Sequence, residues 1–249
     1  MVRNEEEQLR LRLRQAAERA DRLDRPVPDR FVTGAERDWA IHEARQANVA
    51  AAFDGGWADP ERTQVCFYPA NDEPFFTAVW LEIRWPAKFV RCDHRDLLGS
   101  LMALGMDRSF FGDLIALEDR AYLLTLPEMA DRLPLEWQKA GSAPLTIRAL
   151  EEPPAIEPPQ GTMLRDTVPS LRLDAILASG MKLSRARAAE IIREGAVSVD
   201  HRQETRTDRL LTEGQLLSIR GFGRIRLREV FPATRKDRLP VQLELFRKS

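Results

Sequence analysis

The sequence predicts an α+β chain in two ordered parts. Three observations predict it. A strand–helix–strand–strand–helix–strand order runs through the middle of the chain. A stretch over 151–169 holds five of the 16 prolines and interrupts the apolar periodicity. Beyond it the composition turns basic: residues 171–249 hold 17 Lys+Arg against 10 Asp+Glu, whereas 1–170 hold 21 against 29.

Residues 5–24 read as a surface helix, because Leu9, Leu13, Ala16, Ala20 and Leu23 recur at spacings of four and three. Two heptads are too few for a coiled coil, so this seam is expected to pack on its own protein. "RPVPDR" ends it. A second helix starts at Thr33, where "TGAE" forms a capping box with Glu36, and is expected to run to about Phe53 before "DGGW" stops it. "TQVCFYP" is a strand. The middle segment then reads in order. "FFTAVWLEIRW" is a strand, and "HRDLLGSLMALG" is a helix closed by Gly105. "FGDLIALED" and "AYLLTLP" are strands about a tight acidic turn. "EMADRLPLEWQKAG" is helical with Pro134 inside it, and "APLTIRAL" is the last strand. This is the split βαβ, ferredoxin-like (βαββαβ) order. The predicted organisation is a helical/αβ segment over 1–72, a ferredoxin-like domain over 73–150, a linker over 151–169, and a small basic domain with a basic tail over 170–249.

In the basic part, Ser170 is expected to cap a helix over 172–179 with Leu173, Ile176 and Leu177 inward, ended by Gly180. Ser184 is expected to cap a second helix with Ala188, Ile191 and Ile192 inward, ended by Gly195. The strands "AVSVD" and "RLLTEGQLLSIRG" follow. Arg185 stands in the first turn of that second helix, where a cation opposes the helix dipole. Arginine beside free helix amides suits a bound phosphate, which it grips bidentately. Lys182, Arg185 and Arg187 are therefore candidates to face a nucleic-acid backbone. On these residues alone, a solvated face explains them as well.

The wider arrangement resembles the S-four RNA-binding domain, the alpha-L motif. Arg172, Leu173, Asp174, Gly180, Ser184, Arg185, Ala188, Ile192, Gly195, Val197, Val199, Gly214, Ile219, Gly221 and Gly223 carry the match in order and spacing. The resemblance implies that two helices and the following hairpin form an RNA-backbone surface, with Arg172, Lys182, Ser184, Arg185, Arg187 and Arg193 on it. The chain departs from the pattern at Asp200-His201, where Asn-Gly is frequent, and at Gly214-Gln215. A longer or different hairpin is expected at the first. "HRDLLGSLMALGMDRSFFGDL" and "FDGGWADPERTQVCFYP" together with that module are similar to the YlmH-like family, which includes the photosystem II S-four domain proteins. That resemblance spans about Phe31 to Val230. It implies ribosome association, with rRNA, tRNA and the large ribosomal subunit as partners and stalled ribosomes as a setting. It also implies His94, Arg95 and Arg108 as RNA contacts of the middle domain. The alternative is that Asp96 and Asp113 pair with these cations and hold helix ends.

Enzyme readings find little support. "HRDLLGSL" begins like a kinase catalytic loop, but Leu101 stands where a magnesium-binding Asn belongs, and no Gly-rich loop precedes it. No glycine pair opens a helix as a nucleotide loop would. Cys66 and Cys92 sit in no metal-ligand spacing. The expectation is a non-catalytic RNA-binding protein without metal or cofactor. An rRNA-modifying enzyme with an unrecognised site, or an adaptor whose acidic half binds a basic partner, are the alternatives. No run of eighteen apolar residues and no apolar leader occur, so a cytoplasmic monomer that does not engage membranes is expected.

Overall fold

The structure is a computed structural model that describes residues 2–58, 60–157, 160–200, 202–233 and 238–247. The chain forms two compact units, Met1–Glu157 and Pro158–Ser249.

The first unit begins with α1 (Val2–Leu23), β1 (Val27–Thr33), α2 (Gly34–Gln46), β2 (Ala50–Asp54) and β3 (Arg62–Tyr68). The strands form an antiparallel sheet in the order β1-β3-β2. Leu13, Ala17 and Ala20 of α1 are fully buried, and they pack with Ala40, Ala44, Val65 and Phe67. The apolar seam of α1 thus covers its own sheet, although Leu23 at its end is exposed. "VPDR" does not only end α1; it opens β1. The start of α2 is as expected, with the Thr33 amide donating to the Glu36 carboxylate at 2.6 Å. Its end is not. Asn48 adopts φ 57°, a left-handed conformation that asparagine tolerates and a helix does not continue through. Ala50–Asp54 then pairs with β3 instead of extending the helix.

The second half of this unit contains β4 (Val79–Arg84), α3 (His94–Met102), a 3-10 turn (Arg108–Phe110), β5 (Phe111–Ala116), β6 (Arg120–Thr125), α4 (Pro127–Ala130), α5 (Leu133–Glu136), β7 (Lys139–Ala140), β8 (Ala143–Pro144) and β9 (Thr146–Ala149). Its four-stranded sheet is antiparallel in the order β5-β6-β4-β9. The first strand of the motif is therefore flanked by its third and fourth, which is the ferredoxin-like arrangement the element order predicts. One face holds Leu81, Ile83 and Leu123 against Leu97, Leu101, Leu133 and Trp137. The second helix of the motif is broken into α4 and α5, because Pro134 cannot donate a helical hydrogen bond. Its expected last turn is the small hairpin β7–β8.

The expected boundary at 72/73 does not separate compact units. The Asp113 carboxylate on β5 accepts from the Trp57 indole at 2.9 Å and from the amides of Glu61 and Arg62 at 2.8 and 3.0 Å. Phe31 of β1, fully buried, packs with Trp80, Leu124 and Leu126. Asp113 thus ties the two sheets together rather than pairing with His94, Arg95 or Arg108.

The second unit holds β10 (Thr162–Val168), α6 (Leu173–Met181), α7 (Arg185–Arg193), β11 (Val197–Val199), β12 (Arg202–Gln203), β13 (Leu216–Ile219), β14 (Gly223–Val230) and β15 (Leu239–Arg247). Its antiparallel sheet runs β10-β15-β14-β13-β11-β12. Leu173, Ile176, Leu177, Ala188 and Ile192 pack on Ile225, Leu227, Val241 and Leu243. Several expectations change here. Residues 162–168 are an edge strand, not linker, because seven consecutive residues pair with β15. The expected basic tail contains β15, whose Val241, Leu243 and Leu245 are core; residues 248–249 lie outside the described ones. Arg172, not Ser170, holds the N-cap position of α6, without a side-chain cap bond, and the left-handed residue that closes the helix is Lys182 (φ 55°). Gly180 lies within the helix, where an added Cβ would sit 2.6 Å from the Ile225 side chain. The hairpin after β11 is short, with Val199 paired to Arg202 and Asp200 taking φ 48°, so the departure from Asn-Gly does not lengthen it.

Gly112 tests the contact between the two sheets of the first unit. A Cβ there would stand 2.7 Å from the Phe31 ring. Gly112→Ala is expected to lower stability by about 1–3 kcal/mol in urea denaturation. Unchanged stability would show that Phe31 has room to move.

Candidate nucleic-acid interface

The cations of the second unit converge where α6 and α7 begin. Asp174, in the first turn of α6, is 6% exposed. Arg172 donates to it through Nε at 3.2 Å and through a terminal nitrogen at 3.1 Å. Arg185, from the first turn of α7, donates to both carboxylate oxygens at 3.1 Å. Burial pushes the Asp174 carboxyl up, but the bonds from Arg172 and Arg185 outweigh it and hold the group below the usual carboxylate range. One carboxylate thus fixes two guanidiniums and leaves a net positive charge. Both remain reachable: the Arg172 side chain is 35% exposed and that of Arg185 49%.

Lys182 is exposed at the bend between the helices. With Arg185, Ser179 and Asp166 it lines a shallow depression of about 340 Å³. Ser184 serves the helix: its hydroxyl accepts from the Arg187 amide at 3.2 Å, as an N-cap should. Arg187 pairs with Glu190 at 2.9 Å, and both side chains are half exposed. Such a surface pair is worth little and yields readily to a better anion. Arg193 is exposed in the last turn of α7, where a cation suits the helix dipole. The N-terminus of α6 is not open to an anion, because the Leu173 and Asp174 amides donate to the carbonyls of Arg209 and Thr207.

Sequence reasoning missed a second stripe. Arg224, Arg226 and Arg228 alternate along β14 with Ile225 and Leu227, which face the helices and the core. The three arginines therefore lie on the opposite face of the sheet, Arg224 and Arg226 over the Phe246 ring and Arg228 paired to Glu244. The period-two alternation in "RIRLR" is the signal that would have found them.

In the first unit, His94 and Arg95 are exposed in the first turn of α3. Asp93 and Asp96 cap that helix reciprocally, each accepting the other's amide, at 2.9 and 3.1 Å. Asp96 thus holds the helix end through backbone amides; among the described residues it makes no ion pair to His94, Arg95 or Arg108, which the alternative reading of these cations expects. Arg108 is elsewhere. Its guanidinium donates to the carbonyls of Phe111 at 2.7 Å and Gly112 at 3.0 Å. Burial, aided by repulsion from Arg62, pushes its pKa down to about 10. It lines an open cleft with Arg12, Arg30, Arg62, Glu36 and Asp107, and neither His94 nor Arg95 lines that cleft. The structure therefore joins Arg172 with Arg185 and does not join Arg108 with the α3 cations.

Two family models match the chain. "Putative RNA-binding domain in YlmH" matches residues 69–152, and the S4 domain matches 171–217. "Ribosome-associated protein quality control protein P2" of Bacillus subtilis (strain 168) is 34% identical over 203 residues, covering 80% of this chain and 79% of that protein. The chain belongs to the YlmH-like family. The solved "Cell division protein ylmH from Streptococcus pneumoniae" is 21% identical, with a TM-score of 0.48, covering 59% of this chain and 91% of that one. In this YlmH-like chain the Arg172–Asp174–Arg185 triad falls inside the S4 match, and β4, α3, β5, β6 and β9 fall inside the other. Among the described residues, no His, Cys, Asp or Glu group is arranged to hold a metal ion, and no helix is long and apolar enough to cross a membrane.

Asp174→Asn tests the triad. Because the folded carboxyl sits below its ordinary value, its stabilisation is present above the unfolded pKa of about 3.9 and is lost as the pH falls through the folded value. The variant is expected to be less stable than the parent at neutral pH by about 1–3 kcal/mol. That gap should narrow below about pH 4 in denaturation series. A gap independent of pH would mean that the ionised carboxylate is not what holds the arginines.

Proposed function

We propose that this chain binds structured RNA of the large ribosomal subunit, together with tRNA, as a monomer that acts by docking and not by catalysis. The observation that carries the reading is the Arg172–Asp174–Arg185 triad with Lys182 beside it. Two guanidiniums pre-positioned by one buried carboxylate, at the junction of two short helices, suit phosphates of a folded RNA. Arg187 and Arg193 extend that positive surface along α7, and His94 and Arg95 supply a second contact from the first unit. Arg108, spent on two backbone carbonyls, is assigned to the architecture of β5. The Bacillus subtilis relative, named as a ribosome-associated quality control protein, supports the ribosome as the setting. Recognition by cations and shape needs no row of stacked aromatics.

Co-sedimentation with isolated small and large ribosomal subunits tests this. Pelleting with the large subunit that weakens steeply with salt is expected. Lys182→Gln, Arg185→Gln and Arg187→Gln combined should reduce affinity by roughly tenfold per lost phosphate contact. Arg172 stays in place to neutralise Asp174. A folded triple variant that pellets like the parent would remove the phosphate role from these residues.

A further inference from the structure

The four-stranded sheet of the first unit has a second face, opposite its helices. Near Trp80 and Leu124 that face is covered by Phe31 and Trp57. Beyond them the registers set Arg148, Glu82, Tyr122 and Ile115 in one row across β9, β4, β6 and β5. The next row sets Thr146, Arg84 and Arg120 side by side. Strand alternation places Glu82 and Arg84 on the same face, away from Leu81 and Ile83.

Glu82 is the centre of this face. Its side chain is 3% exposed, yet it stands on the face without helices. Arg84 and Arg120 reach its Oε1 at 2.8 and 3.4 Å, and the Arg148 Nε reaches its Oε2 at 2.7 Å. The bond from Arg84 chiefly, with that from Arg148, holds the Glu82 carboxyl down at about 2 against the effect of burial. Arg120 is also bound by Asp119 at 2.8 Å. Arg84 and Arg148 differ: their side chains are 50% and 65% exposed, and each gives one nitrogen to Glu82.

The arrangement exceeds what neutralising Glu82 needs. One guanidinium offsets one carboxylate. Arg84 and Arg120 stand directly opposite each other, a like-charge pair that destabilises a sheet on its own. Burying a glutamate is likewise costly unless it is paired. Together they make a rigid frame that carries surplus positive charge and aims unused N–H groups outward. Such pre-organised arginine donors suit the tetrahedral, multiply accepting oxygens of a phosphodiester.

We propose that Arg84 and Arg148, positioned by Glu82 on the helix-free face of the ferredoxin-like sheet, bind the phosphate backbone of RNA. This second surface rests on the RNA-binding reading above and lies in a different unit from the Asp174 triad. Glu82 and Arg120 are positioning residues. Arg84 and Arg148 make the contact.

The test uses the full chain and rRNA extracted from large ribosomal subunits, in filter binding across a salt series. Arg84→Gln with Arg148→Gln leaves Glu82 one arginine, Arg120, which it shares with Asp119. Affinity is expected to fall about 100-fold, at roughly tenfold per contact. The slope of log K against log salt should become shallower by about one per lost contact. Lys182→Gln with Arg187→Gln serves as the comparison in the second unit. Weakened binding by both pairs of substitutions, each with its own drop in slope, supports the sheet surface. If the Lys182/Arg187 variant weakens while the folded Arg84/Arg148 variant binds like the parent, the sheet surface is wrong and the RNA reading stands. If the parent itself does not retain this RNA, both fall. Should the double variant melt early, Arg148→Gln alone leaves two arginines on Glu82. It is expected to bind about tenfold more weakly, and parental binding by that folded variant overturns the proposal.

Discussion

A carboxylate taken out of water must be met by cations or amide donors, and much of this structure follows from that constraint. Asp174 gathers Arg172 and Arg185 where two helices begin. Glu82 gathers three arginines in the middle of a sheet face. Glu43, 5% exposed on α2, draws Arg14 across from α1. Asp113 is met by amides and an indole instead of by guanidiniums, and so ties chain to chain. The arginines on Asp174 and Glu82 hold those two carboxyls below the ordinary range, and each cluster leaves guanidinium edges in solvent. The amide-met one leaves none. Burial puts Asp113 above the ordinary carboxylate range, against the bonds it accepts. The chemistry of the partner therefore separates carboxylates that build the fold from carboxylates that also present a cation.

The sequence was most legible where one local rule decides. The capping of α2 by Glu36, the Ser184 cap of α7 and the stop at Gly195 were read from single residues, because caps need only their own neighbours. The ferredoxin-like order followed from the succession of elements. Legibility failed for β1, β10 and part of β15. "VPDRFVT" carries a proline and two charges, and "TMLRDTV" is mostly exposed. Such segments become strands because a distant partner pairs with them. In β15, Val241, Leu243 and Leu245 alternate with Gln242 and Glu244, a pattern overshadowed by the basic residues around it.

The candidate sites divide in the same way. "RLD" and "SR" named Arg172, Asp174 and Arg185, but only the packing of α6 on α7 brings the third onto the second. Arg108 shows the converse. It is a cation in a suggestive motif, and its fate was decided by two carbonyls that no motif displays. Glu82 was invisible in "WLEIRW", since its three partners lie on three different strands or strand positions.

The place of β15 has a consequence for how this chain is made. It lies between β10 and β14, and β10 has no other neighbour in its sheet. Thr162 meets Leu245, so the edge strand waits for a partner that is synthesised more than eighty residues later. At about 5–20 residues per second, a ribosome leaves that interval open for several seconds. Until β15 is made, the apolar sides of α6 and α7 and, once β14 is made, its open flank are without their final cover. Helices α6 and α7 of the second unit are thus complete as local structures well before the sheet that holds them in register is closed.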